Sequence, residues 1–211
     1  FLTLNAGDVL TKEYIKRYID ESVLTETDEY LKEIKQAAID TVYDANWLST
    51  HGKELARRKI LRMRDVIAVN EDTDDLSNIE ISDDTVENYL AFVVNRERFF
   101  RTQTTKEDEG RQVYKADMLD VNGRFYPEYD AVMITAGLIS YYADQGDMSY
   151  EEKLGFLGRT LAHEISHCYD PSNMAYDGDG YYEPWLTEDE QAAYDEETEK
   201  LRAFLSGKKD E

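Results

Sequence analysis

The chain has 211 residues, 41% of them hydrophobic, with 16 Tyr and 7 Phe, which is enough to bury a sizeable core and argues against global disorder. A formal net charge of −22 leaves no basic surface to neutralise phosphates, so nucleic acid and anionic membranes are poor partner candidates. The single cysteine, Cys168, excludes an internal disulfide, and no apolar run approaches the ~18 residues a membrane span requires.

The start, Phe1-Leu2-Thr3-Leu4, has neither an initiator Met nor a charged leader region, and reads as a processed or excised piece. The first hundred residues read mostly as helices. In Thr27–Asp44, Leu31, Ile34, Ala38 and Val42 recur at helical spacing. A second helix is predicted over Thr50–Arg64, with Leu55, Ile60 and Met63 apolar and Ser49 as its cap. Asp65–Val69 is short and β-branched, so it predicts a strand, and the acidic stretch Glu71–Asp75 reads as a solvated loop. Asp84 is placed to cap a further helix, with Glu87 completing a capping box.

Residues Thr102–Lys115 are polar and read as a loop. Val121–Tyr126 and Asp130–Ile134 predict two strands separated by Pro127. Ser149 and Glu152 then announce a helix that Pro171 prevents from continuing. Along it Leu154, Leu157, Leu161, Ile165 and Cys168 form one apolar stripe, on which Cys168 is expected to pack. A last helix, Glu188–Leu205, is announced by Thr187 with Glu190 and closed by Gly207; the remaining tail is polar and expected to fray. Asp177-Gly178-Asp179-Gly180 lacks the later ligands of a calcium loop and reads as a tight turn.

The helix with the apolar stripe also carries the chemistry. His163-Glu164-Ile165-Ser166-His167 spells H-E-x-x-H. Positions i and i+4 share a helix face, so both imidazoles can reach one metal ion, and Glu164 can accept a proton from a water activated there. Two residues turn a helix by about 200°, so the histidines lie opposite Ile165 and face a cleft while the stripe anchors the helix. The bland alternative, two helix histidines hydrogen-bonded to neighbours, is outweighed by their spacing and by the Glu between them.

A catalytic zinc takes three protein ligands and keeps one position open. His163 and His167 supply two. Glu183, Glu188 and Glu190 are the in-chain candidates for a carboxylate, of which Glu188, 21 residues after His167, is the one to weigh. Glu188 and Glu190 fall in the first turn of a capped helix, where acids are common for dipole reasons.

Several segments carry a likeness. Val121-Asn122-Gly123-Arg124-Phe125-Tyr126-Pro127, then Ile134-Thr135-Ala136-Gly137-Leu138-Ile139, then the H-E-x-x-H helix and Trp185-Leu186-Thr187 resemble the C-terminal catalytic domain of neprilysin-family zinc metallopeptidases. Asn46-Trp47-Leu48-Ser49 resembles the Asp-Trp-Met element of the same family. The resemblance implies that His163 and His167 bind Zn2+, that Glu164 is the general base, that Asn122, with Gly123, holds substrate backbone, and that Asp170 supports the site. Gly123 stands where the family has Ala, Thr135 where it has Pro, Cys168 where it has Gly, and Leu186 where it has a second Trp. The family's third ligand, in a Glu-x-x-x-Asp motif, lies downstream of the Trp-Thr helix, beyond Glu211.

The expectation is therefore a mainly helical α+β chain, zincin-like (thermolysin-like), with a small sheet beside the H-E-x-x-H helix. Residues 1–101 would form a helical segment and 102–211 a partial zinc-peptidase catalytic domain packed with it. The resemblance implies a peptide substrate, an extracellular or cell-surface setting, and a missing remainder of the peptidase as partner, without which this chain is expected to be incomplete and weakly active or inactive. Two rivals stay open: a non-catalytic peptide-binding or regulatory relative, and a metallopeptidase of another subclass that uses Glu188.

Overall fold

A computed structural model of the chain describes residues 5–70, 73, 75–104, 116–170, 172–178 and 181–207. The Pro171 stop, most of the 102–115 loop, the polar tail after Gly207 and part of the acidic stretch lie outside them, as do Asp179 and Gly180 of the predicted turn.

The architecture is mainly helical with one small sheet, as the sequence predicts. Helices α1 (Gly7–Tyr18), α2 (Glu21–Asp44) and α3 (Thr50–Arg62) come first, followed by strand β1 (Arg64–Ala68) and helix α4 (Thr85–Thr104). Strands β2 (Gly123–Tyr126) and β3 (Ala131–Thr135) lead into α5 (Ala136–Ala143). The motif helix is a composite of α6 (Tyr150–Lys153), a π turn (Leu154–Gly158), α7 (Arg159–Ser166) and a 3-10 turn (His167–Tyr169); α8 (Glu188–Ser206) ends the described chain.

The caps explain most helix starts. Ser49 accepts from Gly52 N–H at the start of α3, and Ser149 with Glu152 forms the predicted capping box. At α4 only half of the predicted box exists. Asp84 accepts from the N–H groups of Val86 and Glu87, but the Glu87 carboxylate is bonded to Ser82 Oγ, which also accepts from Asp84 N–H. Ser82, two residues upstream, reaches the orphan donor first.

The sheet order is β1-β3-β2, with β1 parallel and β2 antiparallel to β3. Central β3 is buried on both faces, which is why Ala131-Val132-Met133-Ile134 is continuously apolar. Between β2 and β3 a 3-10 turn at Pro127–Tyr129 ends at Asp130 in the left-handed region, φ 42°. The main core joins Leu31, Ile39 and Val42 of α2, Ala56 and Ile60 of α3, Val132 and Ile134 of β3, and Leu157, Leu161, Ile165 and Cys168 of the motif helix. The motif helix thus packs on α2 with one face and on the sheet with another.

Gly137 opens α5 where the backbone of 118–120 passes over it. A Cβ there would meet the Asp120 carbonyl oxygen at 2.3 Å, so only glycine fits. The residues after the motif helix fold back as a short hairpin: Asp177 N–H donates to the Tyr181 carbonyl and Tyr176 bridges to Tyr182.

Candidate active site

The apolar stripe fixes the roll of the motif helix. Leu157, Leu161, Ile165 and Cys168 are each at most 1% exposed, Leu154 is half-buried, and His163 on the other face is exposed. Burial pushes the Cys168 thiol up to about 12, so it packs as an inert apolar group. The π turn at Leu154–Gly158 sits one turn before the histidines, where it resets the stripe's phase.

His163 Nε2 and His167 Nε2 lie 3.2 Å apart, with their rings 4.6 Å centre to centre and near perpendicular. His167 Nδ1 lies 2.9 Å from Asp170 Oδ2. A carboxylate can only accept, so Nδ1 is the donor of this pair, and in that tautomer Nε2 presents its lone pair toward His163 Nε2. Asp170 is itself held: it accepts from Asn173 N–H at Oδ1 (2.9 Å) and from Asn173 Nδ2 at Oδ2 (3.2 Å). Two imidazole nitrogens converging on one point, one backed by a carboxylate, are donors suited to zinc.

Glu164 is 6% exposed and turns toward the sheet. Burial pushes its carboxyl up, against the pull of His167 and His163 and a hydrogen bond from Phe125 N–H. Gly123 on β2 makes room for it, since a Cβ at that position would lie 2.9 Å from Glu164 Cγ. Among the described residues β2 pairs only with β3, so its outer edge faces Glu164, which accepts from Phe125 N–H there. Asn122 leads into that edge. Its carbonyl accepts from Thr135 N–H (3.2 Å), and its N–H donates to Thr135 Oγ1 (3.2 Å). The same Oγ1 caps α5 by accepting from Leu138 N–H and lies 2.6 Å from the Asp120 carbonyl.

The carboxylates weighed as third ligand go elsewhere. Glu190 is spent on two helix starts: Oε2 accepts from Thr187 N–H and Oγ, and Oε1 accepts from Ser49 N–H and Oγ. Burial pushes Glu190 up, but these bonds outweigh it and hold the carboxyl down at about 2. Glu188, in the first turn of α8, lines a 490 Å³ cavity with Met174, Trp185 and Gln191, and Glu183 is exposed. Among the described residues no third His, Cys, Asp or Glu joins His163 and His167 in a set able to hold a metal.

Residues 122–210 match the family model for peptidase family M13. Over that segment the chain resembles the neprilysin-type peptidases. It is 24% identical over 204 residues to neprilysin-11 of Caenorhabditis elegans, covering 92% of this chain and 23% of that protein. A neutral endopeptidase of Lactobacillus helveticus is 22% identical over 197 residues, with 92% of this chain and 30% of the relative covered. The fold is that of PepO from Lactobacillus rhamnosis (TM-score 0.81, 21% identity, 98% of this chain and 33% of that one). It is likewise that of the Mycobacterium tuberculosis zinc metalloprotease Zmp1, solved with an inhibitor (TM-score 0.77, 20% identity, 99% and 31%). The chain spans between a quarter and a third of the length of most of these neprilysin-type relatives.

Three supporting roles are not evident from the sequence, those of Thr135, Asn173 and Lys59. Of these only Lys59 leaves a trace in sequence, as a charged residue at helical spacing with Ala56, Ile60 and Met63, on the face of α3 that is otherwise apolar.

Proposed function

We propose that this chain carries the metal-binding and proton-transferring part of a zinc peptidase site. His163 and His167 would hold Zn2+ through Nε2, with a third donor supplied from outside the described residues. Bound there, the ion would act as a Lewis acid toward a peptide carbonyl and toward water. Glu164 takes the proton from the attacking water on its carboxylate and delivers it to the leaving amine, so no acyl-enzyme forms. The burial of Glu164 against Gly123 keeps bulk water from one side of the carboxylate and aims it along the β2 edge.

Substrate would lie along that edge as an added strand, its backbone met by Asn122 and Gly123. Thr135 holds the Asn122 backbone in place from behind. The likeness to peptidases supports a peptide partner, and an extracellular or cell-surface setting is part of the same proposal. No described helix is long and apolar enough to cross a membrane.

The observation that carries this reading is the 3.2 Å approach of the two Nε2 atoms, with His167 Nδ1 already committed to Asp170. The two-donor set supports a second reading, a non-catalytic peptide-binding relative on the same scaffold, because two ligands leave zinc under-coordinated. Peptide hydrolysis by zinc-loaded protein that includes the third donor separates them. Under the first reading Glu164→Gln lowers kcat by roughly 10²–10⁴ with zinc retained. Under the second, wild type and variant bind peptide alike and neither hydrolyses it.

A further inference from the structure

Lys59 is 2% exposed and lies on the inner face of α3 among Ala56, Ile60 and Met63. Its Nζ donates to three carbonyls: Cys168 at 2.9 Å, Asn173 at 3.2 Å and Tyr176 at 2.7 Å. An ammonium has three protons, so its donor capacity is fully used. Burial pushes its proton affinity below the ordinary lysine value, against the pull of the carboxylates of Asp130, Asp177 and Asp170. An apolar side chain of similar volume is often as good as a buried ion for stability alone. A charge retained here is better explained by what it holds.

All three carbonyls belong to the end of the motif helix and the loop that follows it. Asn173, whose carbonyl Lys59 binds, is the residue that holds Asp170 with both its N–H and its Nδ2. Asp170 in turn fixes the Nδ1 proton of His167. A continuous chain of hydrogen bonds therefore runs from α3 to the second histidine. We propose that Lys59 is a positioning residue for the His163–His167 site, clamping the backbone at Cys168, Asn173 and Tyr176 so that Asp170 stays on His167 Nδ1. The inference rests on the metal-binding reading above for its consequence, but not for its geometry.

The test is the 15N spectrum of the three imidazoles at about pH 8, recorded on metal-free wild type and on Lys59→Met, with circular dichroism to establish folding. Wild-type His167 is expected to show the Nδ1–H tautomer. In the folded variant its two ring nitrogens should move toward the Nε2–H tautomer that free histidine favours, and its zinc affinity should fall about 10- to 100-fold. Lys59→Arg, which keeps charge and donors, should recover much of both. A folded Lys59→Met with wild-type His167 shifts would overturn the proposal. If Lys59→Met does not fold, Lys59→Gln, with two donors and a shorter reach, takes its place and is judged by the same shifts. Wild type that binds no zinc would defeat the metal reading alone, since the tautomer comparison needs no metal.

Discussion

Glu190 Oε1 lies 2.6 Å from Ser49 Oγ, joining the start of α3 to the start of α8 across 141 residues of sequence. With its other oxygen closing the Thr187 box, one carboxylate caps two helices. Its folded pKa of about 2 is depressed below the ordinary 4.5, so the unfolded chain binds the proton more tightly. The stabilisation, about 3 kcal/mol at most, is complete above pH ~5 and is lost as pH falls toward 2. Urea unfolding at a series of pH values should show a wild-type loss across that window that is much smaller in Glu190→Gln. Identical pH slopes for the two would show that the caps contribute nothing.

Asp170 bears on His167 in the same direct way. Replacing its charge by Asp170→Asn weakens the hold on Nδ1–H, and zinc affinity measured by competition with a chelator should fall about 10- to 100-fold. An unchanged affinity would mean that Asp170 serves only the loop.

Glu188 gives the opposite expectation. It lines a separate cavity near Trp185 and does not join the histidines, so Glu188→Gln should leave the zinc isotherm where it is. Loss of zinc in that variant would restore the reading in which Glu188 is a ligand.

At Gly123 the space left for Glu164 is small. Gly123→Ala would put a Cβ 2.9 Å from Glu164 Cγ, so the Glu164 side chain has to shift to accept it, and kcat should fall by less than in a bulkier variant. Gly123→Val adds bulk that displaces the carboxylate, and kcat for peptide hydrolysis should drop by about 10² with zinc affinity unchanged. A valine variant with wild-type kcat would detach Glu164's placement from catalysis.

The motif helix was readable because its signals are local: a Ser149–Glu152 box, an apolar stripe, and histidines at i and i+4 on the opposite face. The strands were readable within two residues for the same reason. Helix α1 and the first turns of α2 were not, because Gly7–Tyr18 is polar, exposes Val9 and Tyr18, and rests on long-range contacts such as Tyr14 with Ser140. The Glu87 box does not form because Ser82, two residues before the cap, takes the same donor. The positioning shell was illegible for a related reason. Lys59 and Thr135 act on the backbone of other segments and Asn173 on a carboxylate three residues before it; of these bonds only those of Lys59, a charge on an otherwise apolar face, leave a trace in the sequence.

The central claim is that His163 and His167 together hold a metal ion, and the chain's third histidine, His51, supplies an internal control on a different helix. Titrating the 15N-labelled protein with zinc while following all three imidazoles tests it most directly. The predicted result is that the Nε2 resonances of His163 and His167 shift together to saturation at one equivalent while those of His51 stay in place. Histidines 163 and 167 that remain unmoved, or that move no differently from His51, would contradict it.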